Sequence, residues 1–153
     1  MGEVPPSRAA LVVWARLLRA QRRVLADVEA ELKAAGFAAF EWYDVLVELS
    51  HADARGLRPG VLEARLPLAQ YNISRLLERM SKAGLVGKTP CEDDARGHYV
   101  TLTPAGRETL HRVWPVYRDA IARHVGAKLE EEEADRLGDL LAKLIAAATA
   151  EDS

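Results

Sequence analysis

The stretch Leu62–Thr103 reads LEARLPLAQYNISRLLERMSKAGLV, then GKTPCEDDARGHYVTLT, and it decides the fold. A short helix near Val61 to Arg65 leads to a tight turn at Pro67 and a second helix predicted over Ala69 to Ala83. Gly84 supplies the left-handed residue that stops that helix. Val86 to Thr89 and Tyr99 to Leu102 alternate as short strands around an acidic, glycine-containing tip. Helix, turn, helix and hairpin in this order form a winged helix-turn-helix, a shape that sits on duplex DNA.

The faces of the second helix sharpen that reading. At roughly 100° per residue, Ile73, Leu76, Leu77 and Met80 share one side and are expected in the core. Gln70, Tyr71, Ser74, Arg75 and Glu78 fall largely on the other side, with Asn72 and Arg79 on the flank. Gln and Asn pair bidentately with adenine, and Arg with guanine or a phosphate. The plain alternative is a solvated helix face, to which an exposed Tyr is less suited. Glu78 is a group that DNA repels mildly. On the hairpin, Lys88 and Arg96 occupy the two arms, with His98 close to Arg96. Such a wing lies along the backbone and places an Arg in the minor groove. Glu92, Asp93 and Asp94 oppose phosphate contact, so an internal pair between Asp94 and the Arg96 guanidinium is expected.

Outward from this block the chain is helical. A long helix is expected from about Ser7, its N-cap, to Gly36, with a narrow seam of Leu11, Trp14, Leu18, Leu25, Val28 and Leu32. A second helix covers Ala39 to about Ala52, and residues 53 to 60 read as a loop. Thr103-Pro104 opens a further helix with Thr103 as N-cap. Pro115 removes a backbone donor inside it and is expected to kink or break it. A last helix begins at Glu130 to Glu133, where acid favours the helix dipole, and continues through Leu137, Leu141 and Leu144. The fold class is mainly α with a small β-wing. Residues 39–103 form the winged lobe, and 7–36 and 104–149 are dimerisation helices within a single domain of 1–153. Pairing of two protomers covers apolar seams that one chain of this size struggles to bury.

Composition bounds the function. The chain has 153 residues, 49% hydrophobic and 29% charged, which fits a globular protein. A net charge of −2 argues against a general nucleic-acid coat but not against a specific binder, which depends on where its cations sit. One cysteine, Cys91, forms no internal disulfide, which suits a reducing compartment. The N-terminal sequence is no secretory signal, and no segment reads as a membrane span, so the cytoplasm is expected. No nucleophile–base set, metal motif or phosphate loop is visible, so no enzyme, metal or cofactor is expected.

LPLAQYNISRLLERMSKAGLV followed by DDARGHYVTLTPAGRETL resembles the MarR family of bacterial transcriptional regulators, over about residues 8 to 148. The family's wing signature matches Asp94, Arg96, Leu102, Thr103 and Gly106, and its recognition helix matches Leu76, Leu77, Met80, Gly84, Leu85 and Val86. The resemblance implies an obligate homodimer with interlocked terminal helices and two winged lobes on a pseudo-palindromic double-stranded operator. Carried over by position, Gln70, Tyr71, Asn72, Ser74 and Arg75 become groove contacts and Arg96 the wing-tip contact, with Arg79, Lys88 and Asp94 beside them. It also implies, for a repressor, release by a small aromatic effector. Trp14, Trp42, Tyr43, His111 and Trp114 are the candidate lining, although Trp at helical spacing is more often core.

Departures from the pattern are Ala69 in place of a capping Ser, Pro67 at the turn, Ala95 in place of a second wing Arg, and Pro115. An uncapped helix and an acidic wing tip point to modest affinity. Two other readings stay open: a winged-helix protein-interaction module, and a redox-sensing regulator acting through Cys91. A reactive thiol favours cationic neighbours, whereas Cys91 stands beside Glu92, Asp93 and Asp94.

Overall fold

The computed structural model describes residues 4–37, 40–66 and 72–149. Among these residues, six α-helices and one hairpin follow in the order α1 (Arg8–Ala34), α2 (Phe40–Ser50), α3 (Pro59–Arg65), α4 (Ile73–Lys82), β1 (Val86–Pro90), β2 (His98–Leu102), α5 (Pro104–His124) and α6 (Glu131–Thr149). A 3₁₀ turn, Gly126–Lys128, precedes α6. The chain divides into two compact units. One comprises Glu31–Tyr117 and the other the residues up to Ala30 and from Arg118 onward. The unit that holds the wing therefore takes in the end of α1 and most of α5, beyond the 39–103 expected from sequence.

Within Glu31–Tyr117 the core is built from amphipathic faces. Val45, Leu46 and Leu49 of α2, Leu62 of α3, and Ile73, Leu76, Leu77 and Met80 of α4 are all buried. Each such side chain contributes about 1.5–3 kcal/mol on leaving water. Val86 of β1, Val100 of β2 and Val113 of α5 complete this core. The strands pair antiparallel in the register Val86↔Leu102 to Pro90↔His98. A third segment joins them, because Leu57 forms a bridge with Val100. Leu57 N–H donates to Val100 O at 3.0 Å, and Val100 N–H donates to Leu57 O at 2.8 Å. Gly56, at φ +88°, permits this approach, since a Cβ there collides with the Val100 carbonyl. Residues 53 to 60 are thus partly sheet, not only loop.

Helix ends obey local chemistry. Ser7 Oγ accepts from Ala10 N–H at 3.1 Å and caps α1. Gly36 and Gly84 take positive φ after α1 and α4, as expected of helix stops. Thr103 Oγ1 accepts from Gly106 N–H at 3.0 Å and donates to Gly84 O at 2.6 Å. It therefore caps α5 and ties it to the end of α4. Gly106 is required by packing, because a Cβ there strikes the Leu85 carbonyl. α5 runs through Pro115 without a break, the stronger of the two expected effects. Pro115 deprives only the His111 carbonyl of its helical donor, and both residues are exposed, so water is available to that oxygen.

In the second unit, Val28 and Ala120 are buried, and Asp27 pairs with Arg23 at 2.8 Å and with His124 Nδ1 at 3.7 Å. Glu130 N–H donates to Glu133 Oε2 at 3.0 Å, half of a capping box at the start of α6. The expected seam of α1 splits in two. Val28 and Leu32 are buried, whereas Leu11, Trp14 and Leu18 are exposed. On α6, Leu137, Leu140, Leu144 and Ile145 are exposed as well. Among the described residues, no helix is long and apolar enough to cross a membrane.

Candidate nucleic-acid interface

α4 begins at Ile73, four residues later than the sequence pattern suggested. Its N-cap is Asn72, whose Oδ1 accepts from Arg75 N–H at 3.2 Å. The helix is therefore capped, which corrects the expectation of an uncapped start at Ala69. Asn72 carries this cap because its backbone is extended at ψ 94° and its carboxamide oxygen points back along the first turn. While it caps, one lone pair of that oxygen remains for the adenine contact expected of it. Gln70 and Tyr71, together with Pro67 and Ala69, lie outside the described residues.

The buried and exposed sides of α4 fall as the spacing predicts. Ser74, Arg75, Glu78 and Arg79 are exposed opposite the buried Ile73, Leu76, Leu77 and Met80. Arg75, Arg79 and Lys82 rim an open hollow of about 590 Å³ with Glu41, Asn72, Leu76 and Glu78. Glu78 lies 3.4 Å from Lys82 Nζ, one turn along, which offsets the acid on this face. The face thus presents two arginines on an element fixed by four buried side chains.

On the hairpin, Lys88 and Arg96 are both exposed. Asp94 does not pair with the Arg96 guanidinium, as expected from sequence. One carboxylate oxygen, Oδ1, accepts from the backbone N–H of Arg96 at 3.0 Å, and the other, Oδ2, meets Arg58 Nη2 at 3.1 Å. An Asx turn satisfies the nearer oxygen, and a cation from the start of α3 reaches the farther one. The Arg96 backbone N–H and the Arg58 guanidinium hold the Asp94 carboxyl below its usual range. Sequence reading missed Arg58, which sits 36 residues away from Asp94 along the chain. Its only signal was a position beside the Pro59-Gly60 helix start.

The residues expected to line an effector pocket do not all converge. His111 and Trp114 share a cavity of about 290 Å³ with Val47, Ser50, His51, Arg107 and Leu110. Tyr43 belongs to the core instead, edge-on to Phe37 with ring centroids 6.1 Å apart. Trp42 is half-buried, and its Nε1 has no partner. Trp14 is 63% exposed on α1 and belongs to the other compact unit. Cys91 is buried, and its N–H donates to Gly97 O at 3.1 Å, so it serves the wing's closure.

This arrangement is a winged helix-turn-helix with its polar helix face and wing turned to solvent. Residues 39–97 match the MarR family model, so the winged part of the chain is similar to the MarR family of transcriptional regulators. AbsC, a MarR family transcriptional regulator from Streptomyces coelicolor, superposes with a TM-score of 0.83 at 25% identity, covering 97% of this chain and 99% of its own. Sco3205, a MarR family transcriptional regulator from the same organism solved in complex with DNA, also gives 0.83 at 25% identity, over 95% of this chain and 90% of its own. The HTH-type transcriptional regulator PrsX of Escherichia coli is 28% identical over 96 residues, 63% of this chain and 57% of PrsX. The matched part thus spans a little over half of that relative.

Proposed function

We propose that this chain is a homodimeric, sequence-specific binder of double-stranded operator DNA that acts as a repressor. The observation that carries the reading is the exposed face of α4, with Arg75 and Arg79 set on a helix that four buried side chains hold in place. The crystal structure of Sco3205, a similar fold in complex with DNA, supports it. Exposed Leu11, Trp14, Leu18, Leu137, Leu144 and Ile145 on the terminal helices support the dimer, since monomers seldom leave so many large apolar side chains in water. Cys91 gains little support as a redox sensor, because it is buried beside Gly97 at the wing tip.

A small aromatic anion is the effector that best suits the cavity between α2 and α5. Trp114, Leu110 and Val47 supply apolar walls, and Arg107, His51 and His111 supply donors at its edge. A ligand that prefers one spacing of the two recognition helices shifts the population towards or away from DNA.

Alanine substitution tests the DNA reading. On DNA selected from a random pool, Arg75→Ala and Arg96→Ala each lower affinity by about tenfold, as lost groove contacts do. Each also reduces the salt slope where a phosphate contact is lost. Unchanged affinity in both variants favours a protein-interaction module instead.

A further inference from the structure

The segment that precedes α3 is stitched to the wing. Leu57 exchanges two backbone hydrogen bonds with Val100 of β2. This places the next residue, Arg58, beside the wing tip. Arg58 occupies the N-cap position of α3, where its guanidinium, which carries only donors, cannot cap the helix N–H groups and turns elsewhere. It meets Asp94 Oδ2 at 3.1 Å.

Asp94 is the pivot of the tip. Its Oδ1 accepts from Arg96 N–H, and its carbonyl accepts from Gly97 N–H, both at 3.0 Å. Gly97 lies in a tight nest, where an added Cβ approaches Arg58 Nη2 to 2.7 Å, Asp94 Oδ2 to 3.0 Å and Cys91 Sγ to 3.2 Å. Arg58, Asp94, Gly97 and the buried Cys91 are therefore one packed cluster. Arg96 leaves that cluster as an exposed residue.

We infer that Arg58 is a positioning residue for the wing: it fixes Asp94, which fixes the turn that presents Arg96 to DNA. This rests on the DNA reading above. An exposed ion pair of this kind adds little to stability. Its effect lies in holding one turn geometry when DNA is met.

The test is a double-substitution cycle on the selected operator, with full-length protein. Arg58→Ala weakens binding roughly three- to fivefold. Its melting temperature stays within about 2 °C of the wild type. In an Arg96→Ala background the same substitution has little further effect. Arg58→Lys recovers part of the loss, because a cation again meets Asp94. Amide exchange at Arg96 quickens in Arg58→Ala, a change that a general packing role does not confine to the tip. An Arg58→Ala loss that persists undiminished in the Arg96→Ala background, with the salt slope lowered by about one, makes Arg58 a direct phosphate contact and overturns the inference. Unchanged affinity in Arg58→Ala overturns it too, while DNA binding by the wild type stands. Wild-type protein that binds no DNA removes the DNA reading and this inference together.

Discussion

Asp44 is a buried carboxylic acid on α2 whose Oδ2 has no hydrogen-bond partner. Burial, and then the charges of Glu41 and Glu48 about one turn to either side, push its pKa up to about 7 from an ordinary 3.8. The folded state therefore keeps a proton that the unfolded chain releases above about pH 4. Stability contributed by protonated Asp44 is fully present below that pH and is lost as pH rises through about 7. Asp44→Asn removes this dependence. At pH 8 the variant is expected to be more stable than the wild type by on the order of 2 kcal/mol, and the difference shrinks towards pH 4. Denaturant melts at the two pH values measure it, and an Asn variant equally destabilised at both argues against a neutral Asp44. Nothing in the pattern FEWYDVLVELS marked this residue, because its burial depends on tertiary packing, not on periodicity. Asp94 is the complementary case. Its place at the wing was legible, but the choice between Arg96 and Arg58 depended on a contact 36 residues away.

At the scale of elements, α4 was legible on its apolar side and misread at its start. Ile73, Leu76, Leu77 and Met80 repeat at helical spacing and are all buried. The sequence pattern puts the start at Ala69, whereas the side chain able to cap is Asn72. Ala lacks an acceptor, and Asn offers one to the third residue on. Asn72→Ala is expected to cost about 1 kcal/mol, with a melting temperature lower by roughly 2–5 °C. Asn72→Asp keeps the acceptor and is expected to retain stability, while its charge weakens DNA binding. A calorimetric scan that finds Asn72→Ala as stable as the wild type denies the cap its role. Pro115 does not break α5. Local propensity argued for a break, but one missing donor on an exposed stretch is tolerated within a helix of 21 residues. The bridge of Leu57 to Val100 was illegible for another reason: one pair of backbone bonds leaves no alternation in the sequence.

For the whole molecule, the winged fold and the similarity to the MarR family were both readable in the chain. The wing signature has physical content here: Thr103 caps α5 and binds Gly84 O, and Gly106 gives way to the Leu85 carbonyl. The fate of the terminal helices was less readable, since a narrow apolar seam fits both a private core and a partner. Val28 and Leu32 take the first course, and Leu11, Trp14 and Leu18 remain in water within one chain. That split is what a second copy would resolve. A dimer sets two recognition helices about one DNA turn apart and so reads a symmetric site. The most direct measurement is a selection of bound DNA from a random pool by the full-length protein. A homodimeric reader is expected to enrich a two-fold-symmetric sequence with half-sites about 10 base pairs apart, centre to centre. Failure to enrich any sequence, or enrichment of a single unrepeated half-site, would contradict it.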